Sequence, residues 1–79
     1  MDQKLENDLK IIGDVAKQMA LIKNSIDEKT ALMNDYTNSL TKIKGMPTVE
    51  KTMEEVIAKL NAEIEQEQTA YNNLSKLIA

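Results

Sequence analysis

The sequence predicts an all-α fold: an antiparallel hairpin of two helices that completes a bundle or coiled coil by association. Three observations lead to this prediction. The 79 residues are 42% apolar and 29% charged, with only two Gly and one Pro, which favours helix over sheet or disorder. Apolar residues recur at steps of seven, and one break near the middle of the chain separates two periodic runs. We therefore expect one helical-hairpin domain over residues 1–79.

The first run predicts a long helix from about residue 2 to about residue 44. A strand would alternate with a period of two and a loop would show no period, whereas this run repeats every seven residues. The repeating positions are Leu5, Ile12, Met19, Ile26, Met33 and Leu40. Apolar neighbours widen this stripe on both sides, namely Leu9, Ala16, Val15, Ile22, Tyr36 and Ile43. The stripe is wide enough to be a bundle face rather than a narrow two-stranded seam.

A tight turn is predicted at residues 45–48. Gly45 suits the left-handed cap at the end of a helix, Met46 can add an apolar contact, and Pro47 stops the first helix. Thr48 resembles an N-cap for a second helix.

The second run predicts a helix from about residue 49 to about residue 78. Its steps of seven are Ile57, Ile64, Tyr71 and Ile78, flanked by Met53, Leu60 and Leu74 and by Val49, Val56, Ala70 and Leu77. So short a turn makes the two helices antiparallel neighbours. Residues that face each other should then have numbers that sum to roughly 93, which matches apolar residues along the whole second helix.

One layer of this predicted pairing is polar. Ile26 faces Glu67, and Glu63 lies one turn away, with Lys23 on the opposite helix. An ion pair from Lys23 to Glu67 or Glu63 is one way to close this gap, and a hydrated site is the other. A polar layer of this kind tends to select one register over its alternatives.

The first helix carries apolar residues that the hairpin does not cover. The second helix ends where the first has reached about residue 13, so residues 1–12 extend beyond the pairing. Two arrangements are open: these residues continue the first helix and meet a partner, or they fold back as a short third helix. We expect a partner interface, because small scaffolds without disulfides or metals normally gain core by associating. The predicted interface residues are Leu5, Leu9, Ile11, Ile12, Leu21 and Leu32.

The composition argues against catalysis and cofactors. There is no Cys and no His, which removes thiolate nucleophiles, imidazole bases and the usual zinc and haem ligands. The carboxylates Glu63, Glu65 and Glu67 point in divergent directions on a helix, so a solvated face is favoured over a metal site. We expect no enzyme activity, no catalytic or metal-ligating residue and no cofactor.

Nucleic acid and membranes are also disfavoured as partners. The formal net charge is −3, and every basic residue is Lys, so no bidentate guanidinium is present for phosphate or guanine. The longest apolar run, residues 19–22, is far too short to span a bilayer. The start of the chain lacks the pattern of a secretory signal, so a cytoplasmic location is expected, with a virion or signal-less secretion left open.

The leading hypothesis is therefore a non-catalytic structural, assembly or adaptor subunit that binds a protein partner, either a second copy or another chain. A small inhibitor or immunity-type protein that covers a target is the second hypothesis. The third follows from a resemblance: two helices around a tight turn in about 80 acidic residues resemble the WXG100-type secreted hairpins and, in architecture, type III needle subunits. The turn at Gly45, Met46 and Pro47 has neither Trp-x-Gly nor paired prolines, and no acidic residue lies four positions after Tyr71. Abundant Lys and Asn without Arg suggest a phage or bacterial source.

Overall fold

The computed structural model describes residues 3–78 and consists of two antiparallel helices. Helix α1 spans Gln3–Lys42 and helix α2 spans Pro47–Ile78. The described residues contain no strand, which confirms the all-α hairpin. The helices were expected at about residues 2–44 and 49–78, so α1 ends two residues early and α2 begins two residues early; residue 2 lies outside the described part of the chain. The molecule is a rod of 69 × 15 × 14 Å.

The two helices meet along a single row of half-buried residues on each. In α1 the row alternates at spacings of four and three residues: Val15, Met19, Ile22, Ile26, Lys29, Met33, Tyr36 and Leu40, continued by Ile43 just after the helix. In α2 the row is Glu50, Met53, Ile57, Leu60, Ile64, Glu67, Tyr71, Leu74 and Ile78. The two rows mirror each other about the turn, as the predicted pairing requires. We call this paired row the seam.

The seam is thin, because it is covered from one side only. No residue between 3 and 78 is fully buried. A two-helix unit offers each apolar side chain one neighbouring helix, whereas a bundle surrounds it with three. The hairpin thus hides part of its apolar surface and leaves the remainder in water.

The turn is built around Gly45. Its φ is +100°, in the region that favours glycine, as the sequence predicted. The amide of Met46 donates to the carbonyl of Ile43 at 3.1 Å, and the amide of Gly45 donates to the Glu50 carboxylate at 3.2 Å. Glu50 therefore ties the first turn of α2 back to the end of α1.

The predicted N-cap at Thr48 is wrong. Helix α2 begins at Pro47, and the carbonyl of Met46 accepts the hydrogen bond from the Glu50 amide at 2.9 Å, so Met46 occupies the N-cap position. Pro47 fits the first helical position because its fixed φ is already helical and its missing N–H would have no partner there. The Met46 side chain is 57% exposed, so it adds little apolar contact to the turn.

Replacing Gly45 by Ala is expected to destabilise the hairpin by about 1 kcal/mol, because an alanine at this φ is strained. Space is not the reason, since a Cβ at this position would meet no atom within 4 Å. Thermal unfolding followed by circular dichroism measures the effect. Gly13→Ala is the matched control: Gly13 lies within α1 and also has free space, so the same change should stabilise the helix by a similar amount. Equal effects at both glycines would contradict this assignment of the turn.

The N-terminal part of α1 continues as helix beyond the end of α2. The first half-buried residue of α1 is Val15, which mirrors Ile78 at the end of the seam. Residues 3–14 are all exposed and helical, and α1 runs through Gly13 and Asp14 without a break. Residues 3–12 therefore continue the first helix and do not fold back. We call residues 3–14 the overhang, which is about 18 Å long at the helical rise.

Candidate functional site

The overhang presents large apolar side chains with no cover from the hairpin. Leu9 is 60% exposed and Ile11 58%, and Leu5 and Ile12 are close to half exposed. Leu5 and Ile12 occupy the heptad position that Met19 and Ile26 occupy in the seam, since each is seven residues from the next. The overhang thus carries the seam's apolar pattern past the point where α2 ends. All four residues are among those the sequence predicted for a partner interface.

A polar cluster interrupts the seam near its middle. The ammonium of Lys29 donates to Oε1 of Glu67 at 2.6 Å and lies 3.5 Å from Oε2 of Glu63. The hydroxyl of Ser25 donates to the same Oε1 of Glu67 at 2.9 Å. The numbers of Ser25 and Glu67, and of Lys29 and Glu63, sum to 92, close to the predicted pairing. We call Ser25, Lys29, Glu63 and Glu67 the polar cluster.

The structure corrects the predicted cation of this cluster from Lys23 to Lys29. Lys23 is exposed and lies beside Ile26, Asp27, Gln68 and Tyr71 in an open groove of about 270 Å³. The sequence did contain the signal. Lys29 lies seven residues after Ile22 and seven before Tyr36, so it is the polar member of an otherwise apolar heptad row.

The contacts of the cluster shift the pKa values of both members of the ion pair. The hydrogen bond from Lys29 lowers the pKa of Glu67 from its usual 4.5, helped by the Ser25 hydroxyl and opposed by partial desolvation. The hydrogen bond to Glu67 raises the pKa of Lys29 from 10.5; partial desolvation opposes this, and attraction to Glu67 and Glu63 adds to it. Within residues 3–78, Oε2 of Glu67 has almost no solvent contact and no hydrogen-bond partner. Both groups are therefore held in their charged forms at neutral pH.

The two long sides of the hairpin differ in chemistry. One side holds two open grooves, the one beside Lys23 and Gln68 and a second of about 400 Å³ beside Lys44 and Glu54. Lys23 and Lys44 are three heptads apart, and Glu54 and Gln68 are two heptads apart, so both grooves lie on the same side of the seam. We call this side, which is lined mainly by polar residues, the polar side.

The opposite side is marked by Ser25 and Glu63, the members of the polar cluster that flank the seam. Steps of seven from Ser25 reach Ile11 and Leu32, and Leu21 lies one turn before Ser25. Steps of seven from Glu63 reach three residues of α2. We call the resulting set the lateral apolar face; its members are Ile11, Leu21, Leu32, Val49, Val56 and Leu77, and all six are exposed.

The contribution of α2 to this face was missed at the level of sequence. Val49, Val56 and Leu77 were interpreted as flanks of a stripe that α1 would cover, whereas α1 leaves Leu77 72% exposed. The heptad arithmetic places these residues beside the seam and not within it. The signal that separates the two cases is position relative to Met53, Leu60 and Leu74, which do lie in the seam.

The search for metal and membrane features gives two findings. Among residues 3–78, no three acidic side chains are placed to share a metal ion. Neither helix, within the same residues, is long and apolar enough to cross a membrane. No family model, curated protein or solved structure matches this chain. Its function is therefore argued from its own residues.

Proposed function

We propose that this protein is a non-catalytic assembly or adaptor subunit that binds a protein partner through apolar helical faces. The overhang carries the proposal. An intramolecular seam that ends at Val15 and Ile78 is followed by 12 further helical residues with the same apolar spacing and four large exposed side chains. Exposed apolar stretches of this kind mark interaction surfaces in soluble proteins.

The predicted partner residues fall on two connected surfaces. Leu5, Leu9 and Ile12 belong to the overhang, Leu21 and Leu32 belong to the lateral apolar face, and Ile11 joins the two. Three- and four-residue alternation along the seam is the pattern of coiled coils, so a helix that continues the line of α2 would find the same geometry on the overhang. The polar cluster acts in this proposal as the register-setting layer that holds α2 in place while the overhang stays open to a partner.

Replacing Leu9 and Ile12 by Asp is expected to weaken partner binding by more than about tenfold, because two apolar contacts are lost and two carboxylates would be buried. Helicity of the hairpin should remain close to that of the wild type, since neither residue contacts α2. Chemical cross-linking in the cells that make the protein, with mass spectrometry of the products, compares the variant with the wild type.

The matched control is Gln3→Asp with Asn7→Asp, which adds the same two negative charges to polar positions of the overhang. The control variant should keep every partner that the wild type has. If the Leu9→Asp/Ile12→Asp variant also keeps them all, the overhang is not the interface. If it loses its helicity, these residues belong to the intramolecular core instead.

A further inference from the structure

The lateral apolar face extends along nearly the whole length of the rod. Each α1 residue lies beside the α2 residue whose number completes a sum of about 93. On this scale the members alternate between the helices from the overhang to the turn in the order Ile11, Leu77, Leu21, Leu32, Val56 and Val49. Most steps are five to seven residues, or about 8–10 Å. The longer step between Leu21 and Leu32 is the position of Ser25 and Glu63.

The area of this face is near that of a stable interface. From the exposed fractions of its six members, the face presents on the order of 600 Å² per copy, against roughly 800 Å² per partner in a standard interface. It lies at the upper end of the largest apolar patch on a typical monomer. The polar side offers nothing comparable, since Lys23, Lys44, Glu54 and Gln68 line it.

We propose that a second copy of this chain covers the lateral apolar face and that the two hairpins form a four-helix bundle. This inference rests on the proposed function and names its partner. Two identical flat faces bury each other in a closed pair, so no further surface is needed to complete the bundle. The polar cluster then lies at the centre of the interface, where Ser25 and Glu63 interrupt the apolar row in both copies.

Charge selects the orientation of the pair. On the outer edge of the face, α1 carries Glu28 and Asp35, whereas α2 carries Lys59. If both turns lie at the same end, α1 of one copy packs on α2 of the other, and Asp35 comes level with Lys59 of the other copy. If the turns lie at opposite ends, α1 packs on α1, and Glu28 comes close to Glu28 of the second copy. Opposite charges across an interface favour the first arrangement and like charges oppose the second.

The oligomeric state is measured by sedimentation equilibrium of the wild type. A mass of twice the 8.9 kDa chain is expected at about 100 µM. Leu32→Asp with Val56→Asp should weaken the dimer more than about tenfold, because two carboxylates would enter the middle of the face. Thr37→Asp with Asn61→Asp adds the same charge on the opposite, polar side and should leave the dimer intact. Circular dichroism of both variants checks that the helices persist.

Disulfide formation tests the orientation, and it is clean because the chain has no cysteine of its own. Asp35→Cys and Lys59→Cys variants are mixed and oxidised. A mixed disulfide between the two is expected in excess over either homodimer. Disulfide-linked homodimers of a Glu28→Cys variant would instead show the opposite orientation and overturn the proposed one.

The outcomes separate this inference from the proposed function. A monomer at every concentration, or a dimer insensitive to Leu32→Asp with Val56→Asp, overturns the self-association. If cross-linked partners that depend on Leu9 and Ile12 are still found, the adaptor function stands and only the identity of the partner changes. If the chain is monomeric and those partners are absent too, both proposals fail.

Discussion

Replacing Leu60 by Asp is expected to abolish the cooperative unfolding of the hairpin. Leu60 is half-buried in the seam, where it mirrors Met33. The change removes an apolar contact and places a carboxylate against an apolar helix face, at a combined cost of about 3 kcal/mol or more. The total stability of a small domain is about 5 kcal/mol at the low end, and this hairpin has no fully buried residue in reserve between residues 3 and 78. Thermal melts followed by circular dichroism would show a broad, low-temperature loss of helix.

The neighbouring residue supplies the control for this prediction. Asn61 is exposed, so Asn61→Asp adds the same charge one position further along α2 without entering the seam. Its melting temperature should stay within a few degrees of that of the wild type, as for an ordinary surface change. A sharp transition in the Leu60→Asp variant at the temperature of the control would mean that the seam contributes little to folding.

The sequence was sufficient to predict the features that depend on periodicity and on local backbone chemistry. Steps of seven identified both helices because an apolar row at that spacing has one way to be covered by a neighbouring helix. Gly45 and Pro47 identified the turn because each has a backbone property that few other residues share. The antiparallel pairing then followed from the shortness of the turn, and the half-buried rows on both helices agree with it.

The features that sequence reasoning missed depend on side-chain reach and on partial cover. Lys29 was passed over in favour of Lys23 because both lie near Glu67 in a projection of the pairing, and only a long side chain within the seam reaches Glu67 and Glu63 together. Thr48 has the side chain of an N-cap, but Pro47 is already helical, so the helix begins one residue before it. Val56 and Leu77 adjoin the seam in sequence, whereas their exposure depends on how far around α2 the neighbouring helix extends.

Replacing Lys29 and Glu67 together by Leu is expected to raise the melting temperature of the hairpin and to relax its choice of partner. Each charge now gives up some hydration for an ion pair, and apolar residues of similar size in the same row avoid that cost. Lys29→Leu or Glu67→Leu alone should lower the melting temperature, because each leaves the other charge half-buried without its partner. Removing the polar layer also removes the penalty on shifted pairings, so sedimentation of the double variant should show more than one oligomer.

The pH dependence of the same comparison tests the charges directly. The lowered pKa of Glu67 means that its contribution to stability is present above about pH 5 and is lost as the pH falls through the folded value. The raised pKa of Lys29 means that its contribution is present below about pH 10 and is lost as the pH rises through the folded value. The stability advantage of the double variant should therefore be smallest between these limits and grow on both sides. Lys51→Leu with Glu55→Leu removes two charges one turn apart on the exposed surface of α2 and should change stability little at any pH. An advantage that is the same at every pH would show that the pair contributes no charge interaction to the seam, because the charged and neutral forms of Lys29 and Glu67 would then be equally stable in the folded chain.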